Sequence, residues 1–165
     1  MSILVVYYSR SGNTRRVAEA VASACDATLL ELVDTANRAG FKGSMKSGKD
    51  AMLSKRTEIE PPKQRADEYD LVIVGTPVWA FTMTPAVRTY LEQERNAIRK
   101  AAFFCTMGGS GANRTFNTMK RTCGKTPCAT LALSERESKS EKLDKFVAGF
   151  VEEINKASAQ DPENC

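Results

Sequence analysis

The 165-residue chain contains no histidine. That absence excludes serine–histidine triads, cysteine–histidine dyads and histidine-bearing zinc sites. Acid–base chemistry must use another side chain, or a cofactor must carry the reaction. No apolar run approaches the roughly 20 residues that cross a bilayer. Ahead of the first apolar run stand only Met1 and Ser2, so no signal peptide and no membrane span are expected. The five cysteines are an odd number. Without a secretory signal they read as free thiols in a reducing compartment, which predicts a cytoplasmic protein. Cys105 falls inside a strand-like run and is expected to pack as a small apolar side chain. Cys123 and Cys128 lack partners for a zinc site and are not a C-x-x-C pair. No metal is expected. The formal charge is +4, but the basic residues are not interleaved with aromatics and no nucleic-acid motif is present, so no nucleic-acid partner is expected.

Five short apolar runs are present: 3–8, 27–32, 71–75, 101–106 and 128–133. Most are continuous rather than alternating, as in strands buried on both faces of a parallel sheet. Helical patterns alternate with them. Val17, Ala20, Val21 and Ala24 share one helical face, and Leu143, Phe146, Val147, Phe150 and Ile154 form a longer stripe. Thr84-Pro85 is a helix start with Pro at its first position. Ser138 and Glu141 read as a capping box ahead of the last helix. Residues 112–122 form a weaker helix. This alternation predicts an α/β three-layer sandwich in a single domain over residues 1–156, with 157–165 as a flexible tail. Ligands in such folds sit outside the carboxyl ends of the strands. The connection 33–69 is long. It includes a basic segment, 38–56, and a helix around 44–55 weakened by Gly43 and Gly48.

Three loops at strand ends carry the chemistry. The first is Ser9-Arg10-Ser11-Gly12-Asn13-Thr14, between the first strand and the first helix. A helix N-terminus offers unpaired N–H groups to a phosphate. Gly12 admits a close backbone approach, and Ser9, Ser11 and Thr14 can donate O–H groups. The lysine of a triphosphate-binding Walker loop is missing, so a single terminal phosphate suits this loop. An ordinary capped turn is the other reading of the same residues. The second loop holds Pro77, Val78, Trp79 and Ala80. Trp79 is the only tryptophan. Its ring either stacks on a flat ligand or plugs the core beneath the next helix. The third loop begins Thr106-Met107-Gly108-Gly109-Ser110, and its glycines, Gly108, Gly109 and Gly111, leave backbone N–H and C=O groups able to bond the polar edge of a heterocycle.

These three motifs, in this order, resemble the flavodoxin-like family over about residues 3 to 155. "YSRSGNT" is similar to its phosphate loop, "DLVIVGTPVWAFTMTPAV" to the flavin-stacking loop of its short members, and "FFCTMGGSG" to their isoalloxazine-edge loop. The resemblance implies a five-stranded parallel sheet of order 2-1-3-4-5 binding FMN. The phosphate goes to Ser9, Arg10, Ser11, Gly12, Asn13 and Thr14. The ring goes to Pro77, Val78, Trp79 and Ala80, and to Thr106, Met107, Gly108, Gly109 and Ser110. No catalytic side chain is needed, since the flavin carries the chemistry. Two features depart from the acidic electron carriers of that family: the +4 charge, and a third loop without tyrosine. They turn the expectation toward an oxidoreductase that takes electrons from NAD(P)H and passes them to a quinone or similar acceptor. The alternative is one-electron transfer as a carrier for a partner redox enzyme. Other relatives of this topology fail on the residues. No cysteine has an arginine six positions on, as a tyrosine-phosphatase loop requires, and the first and third strands end at Ser9 and Thr76 rather than at aspartates.

Overall fold

A computed structural model describes residues 1–35 and 57–160. Five strands form one parallel sheet: β1 (Ile3–Tyr7), β2 (Thr28–Glu31), β3 (Leu71–Pro77), β4 (Ala101–Met107) and β5 (Thr130–Ser134). Their spatial order is β2-β1-β3-β4-β5, as the family resemblance implies. Among the described residues five α-helices accompany them: α1 (Asn13–Cys25), α2 (Pro85–Glu94), α3 (Ala112–Cys123), the short α4 (Glu135–Ser138) and α5 (Leu143–Gln160).

The burial of each strand explains its composition. Every residue of β1 is buried, and β3 and β4 are buried up to their last residue. These are the central strands, covered on both faces, so they carry continuous apolar runs. β2 and β5 are edge strands with exposed positions. Alternate side chains divide between two cores. Leu4, Val6, Val72, Val74 and Phe103 pack on one face with Tyr90 and Leu91 of α2 and Met119 of α3. Val5, Ile73 and Phe104 pack on the other with Val17 and Val21 of α1 and Val147 and Phe150 of α5. Cys105 is fully buried in β4, as its sequence context predicts. Burial pushes its thiol up to about 12, which leaves it an inert apolar filler.

Two local expectations change. β3 does not stop at Gly75; it pairs with β4 through Thr76↔Cys105 and Pro77↔Thr106. The capping box lies four residues earlier than the spacing indicates. Ser134 accepts from the Glu137 backbone N–H, and Glu137 Oε2 accepts the Ser134 backbone N–H at 2.7 Å. Ser138 instead closes α4, its hydroxyl donating to the Glu135 carbonyl. The helix expected at 44–55, and with it the basic segment, lies outside the described residues. The two ends of that connection pair with each other: the Thr35 N–H donates to the Glu58 carbonyl and the Glu60 N–H to Val33. Thr57 is tied to Thr89 of α2 through its N–H and its carbonyl.

Candidate cofactor site

Parallel strands end on one edge of the sheet, and the three loops of interest leave from there. The first loop is shaped by Gly12, the N-cap of α1, at φ 91°. An L side chain is rarely accommodated at that φ. The Gly12 N–H donates to Ser9 Oγ at 3.1 Å, which closes the loop on itself. No side chain caps the helix and no acidic residue stands in its first turn. The first intrahelical bond runs from the Arg16 N–H to the Gly12 carbonyl, at 3.0 Å. The amides of Asn13, Thr14 and Arg15 therefore precede the helical ladder. The capped-turn reading of this loop fails: serine and asparagine are present, but neither caps. Arg15 points elsewhere. Its guanidinium pairs with Glu31 at 2.6 Å and donates to the Tyr7 hydroxyl at 3.4 Å. Glu31 is the first cause holding Arg15 more firmly protonated than usual. Burial raises the Tyr7 hydroxyl, with the Arg15 bond acting against it.

The second loop is a tight hairpin. Trp79 and Thr82 exchange both backbone bonds, N–H to O 2.9 and 3.1 Å. The central residues Ala80 and Phe81 both have positive φ, 48° and 64°, as the favoured two-residue hairpin turn requires. Neither is glycine, so the turn stores strain on the order of 1–3 kcal/mol per residue. Thr76 clamps its base, its Oγ1 accepting the Thr84 N–H at 3.1 Å. Trp79 is half-buried and leans on the core cluster, its ring edge-to-face with buried Tyr8 at 5.7 Å. The Arg10 guanidinium lies over the indole, 5.7 Å from the ring centroid, a cation–π distance. Trp79 is thus partly packed on the core and partly turned toward the first loop.

The third loop, Met107 to Gly111, leads into α3. Gly111 caps that helix at φ 107° with no side-chain bond. A Cβ there would meet Val78 at 2.8 Å and Phe81 at 3.2 Å, so the second and third loops touch. Gly108 and Gly109 are different. A Cβ on either would meet nothing within 4 Å, and neither has a positive φ. The chain's own packing therefore gives no reason for glycine at 108 and 109.

Two further bonds fasten the loops together. The Val78 N–H donates to the Thr106 carbonyl at 2.8 Å. Thr14 Oγ1 and Thr106 Oγ1 lie 2.8 Å apart, both residues buried. One hydroxyl donates to the other, which leaves one O–H of the pair to donate elsewhere. All fifteen residues singled out in the sequence lie in these three loops or at the strand and helix ends that flank them. Ser11, Gly108, Gly109 and Ser110 are exposed, whereas Asn13, Thr14 and Thr106 are buried beneath. Sequence reasoning missed Tyr8, Thr76 and Phe81, which shape the loops from below and beside. Gly111, which the sequence groups with Gly108 and Gly109, lies against Val78 and Phe81 rather than in open space.

Comparison with known proteins returns one family model, described as Flavodoxin, over residues 2–150. A flavoprotein of Lactobacillus acidophilus NCFM, solved in complex with FMN, is 24% identical with a TM-score of 0.68, covering 82% of this chain and 95% of its own. A chain from Bacteroides eggerthii DSM 20697 is 23% identical with a TM-score of 0.73, covering 93% and 98%. Oxidised flavodoxin 2 of Bacillus cereus is 16% identical with a TM-score of 0.58, covering 94% and 99%.

Proposed function

The chain belongs to the flavodoxin family, whose cofactor is FMN, and from that premise we propose that it is an FMN-dependent oxidoreductase drawing electrons from NAD(P)H. The observation that carries the cofactor site is the uncapped start of α1, with open space beside Gly12, Gly108 and Gly109. The first-turn amides of α1 and the hydroxyls of Ser9 and Ser11 hold the ribityl phosphate. The free O–H of the Thr14–Thr106 pair adds a donor from beneath. Pro77, Val78, Trp79 and Ala80 flank the ring, and the peptides of Met107 to Ser110 meet its polar edge. Arg10 supplies a positive charge between the phosphate and the indole. When bound, FMN supplies reversible one- and two-electron redox chemistry.

The donor reading rests on access. Gly108, Gly109 and Ser110 are exposed, and none of the three carries a bulky side chain. A nicotinamide can then approach to the roughly 3–3.5 Å that direct transfer needs. A quinone or similar flat acceptor uses the same opening. Anaerobic mixing of the FMN-loaded protein with NADH and with NADPH is expected to bleach the flavin absorbance in a single two-electron step. No bleaching by either at millimolar concentration would leave the second reading, a carrier served by a partner protein. Among the described residues no helix is long and apolar enough to cross a membrane.

Trp79 gives a second test. Its fluorescence is expected to fall on FMN titration. Trp79→Ala is expected to weaken FMN binding by about 1–3 kcal/mol, taking base–aromatic stacking as the guide. Because the ring also leans on Tyr8, the variant loses stability too, but less than the roughly 3–5 kcal/mol of a buried aromatic. An unfolding midpoint lowered by the full core amount, with FMN affinity unchanged, would make Trp79 a plug alone.

A further inference from the structure

α2 and α3 lie on the same face of the sheet and share one core. Arg88 and Arg95 stand seven residues apart on α2 and its C-cap, and Arg114 and Arg121 seven apart on α3. Seven residues are two helical turns, about 10.5 Å, so each pair occupies one face. The two faces border a groove. One part, about 510 Å³, is lined among the described residues by Arg88, Arg95 and Arg121 and by one carboxylate, Glu92. It continues past Arg88 and Arg121 into a second part of about 450 Å³, lined also by Arg114, Ala80 and Phe81. None of the ion pairs among the described residues, Arg15–Glu31, Arg65–Asp67 and Lys156–Glu152, involves the four arginines. Among the described residues the side-chain hydrogen bonds of Arg88 and Arg121 are long, each 3.5 Å to a threonine hydroxyl.

Helix dipoles explain two of the four. Arg95 and Arg121 sit at helix C-terminal ends, where a cation is favoured. Arg88 and Arg114 sit near the N-terminal ends of their helices, where a cation opposes the dipole. Four guanidinium groups facing one groove repel one another, and an anion removes that cost. Guanidinium groups match phosphate oxygens in forked, charge-assisted bonds. The groove's size lies within the roughly 300–1,000 Å³ of small-molecule sites. It reaches the candidate cofactor loops through the Ala80-Phe81 turn, where Phe81 is 54% exposed.

We propose that this groove binds the phosphorylated adenosine half of a nicotinamide dinucleotide, with Arg88 and Arg121 on its phosphates and Phe81 against the adenine. The assignment of that ligand rests on the donor reading above. Its test uses the FMN-loaded protein and a fragment that cannot transfer electrons, adenosine 2′,5′-bisphosphate, titrated by calorimetry. The fragment is expected to bind, and the double variant R88Q/R121Q to weaken it by about tenfold or more, the loss of at least one charge-assisted bond. R88K/R121K restores part of the affinity. R99Q, which removes an exposed charge outside the groove, leaves it unchanged. Retained FMN and an unchanged circular dichroism spectrum show that the double variant is folded. With NADPH as donor, R88Q/R121Q is expected to raise KM and leave kcat unchanged.

A fragment that fails to bind, or binds the double variant as well as the wild type, overturns the proposal. So does binding of polyglutamate without the bisphosphate, which would make the groove a surface for an acidic protein. If NADPH reduces the flavin with the same KM in the double variant, the groove assignment fails and the donor reading stands. If neither nicotinamide reduces the flavin but the fragment binds through the arginines, the phosphate groove stands and the donor assignment alone falls.

Discussion

Ser11→Asp is expected to abolish FMN binding while leaving the fold intact. Ser11 is exposed, just ahead of the Gly12 N-cap. A carboxylate there lies beside the amides of Asn13 and Thr14 and satisfies what no side chain now satisfies. At a helix N-terminus this stabilises by about 0.3–1 kcal/mol. The same charge stands where the phosphate must sit. Like charges brought together at a binding site cost several kcal/mol, and about 4 kcal/mol is already a thousandfold in affinity. Two measurements check the pair of effects: fluorescence titration with FMN, and thermal unfolding of the apoprotein. Thr14→Asp is expected to behave differently. Thr14 is buried against Thr106, so a carboxylate there meets a hydroxyl in a closed site and lowers stability as well as binding. A Ser11→Asp protein that keeps wild-type FMN affinity would move the phosphate away from this loop.

What could be read from the chain depended on how local each cause is. Gly12 announced itself because one residue fixes one φ and one helix start. The continuous apolar runs of β1, β3 and β4 announced themselves because central strands of a parallel sheet have no polar face. The capping box was ambiguous for a local reason: Ser134–Glu137 and Ser138–Glu141 both fit the motif. Only the end of β5 at Ser134 selects the first. Propensity ends β3 two residues short, because Gly75 and Pro77 are poor strand formers, while pairing to β4 overrides it. The Thr14–Thr106 bond joins residues 92 apart in sequence, and no spacing rule reaches that far. The arginine groove was half legible. The seven-residue spacing lies in the chain, but that the two spaced pairs face each other depends on α2 and α3 being neighbours.

Gly75→Ala is expected to destabilise the protein strongly, for a reason that has nothing to do with backbone freedom. Gly75 lies in mid-strand without a positive φ, and alanine is a tolerated strand residue there on conformational grounds. What forbids it is Phe104, its direct partner on β4. A Cβ at position 75 would lie 1.9 Å from the ring carbon Cζ and within 2.5 Å of both neighbouring ring carbons. The ring must move, yet Phe104 is fully buried in the core beneath α1 and α5. Overpacking of this kind costs about 1–3 kcal/mol, and more where the backbone must shift. For a chain of this length each kcal/mol lowers Tm by about 2–4 °C. The strain also reaches the cofactor loops. The Gly75 carbonyl accepts the Tyr8 N–H at 3.3 Å, and Thr106, two residues beyond Phe104, holds Thr14. FMN affinity is therefore expected to fall together with stability. A double-mutant cycle isolates the cause. In a Phe104→Leu background the smaller side chain makes room, so Gly75→Ala there should cost much less than in the wild type, a coupling of about 0.5–3 kcal/mol. Gly75→Ala with wild-type stability by denaturant unfolding, or equal costs in both backgrounds, would show that the Phe104 ring is not what keeps position 75 a glycine.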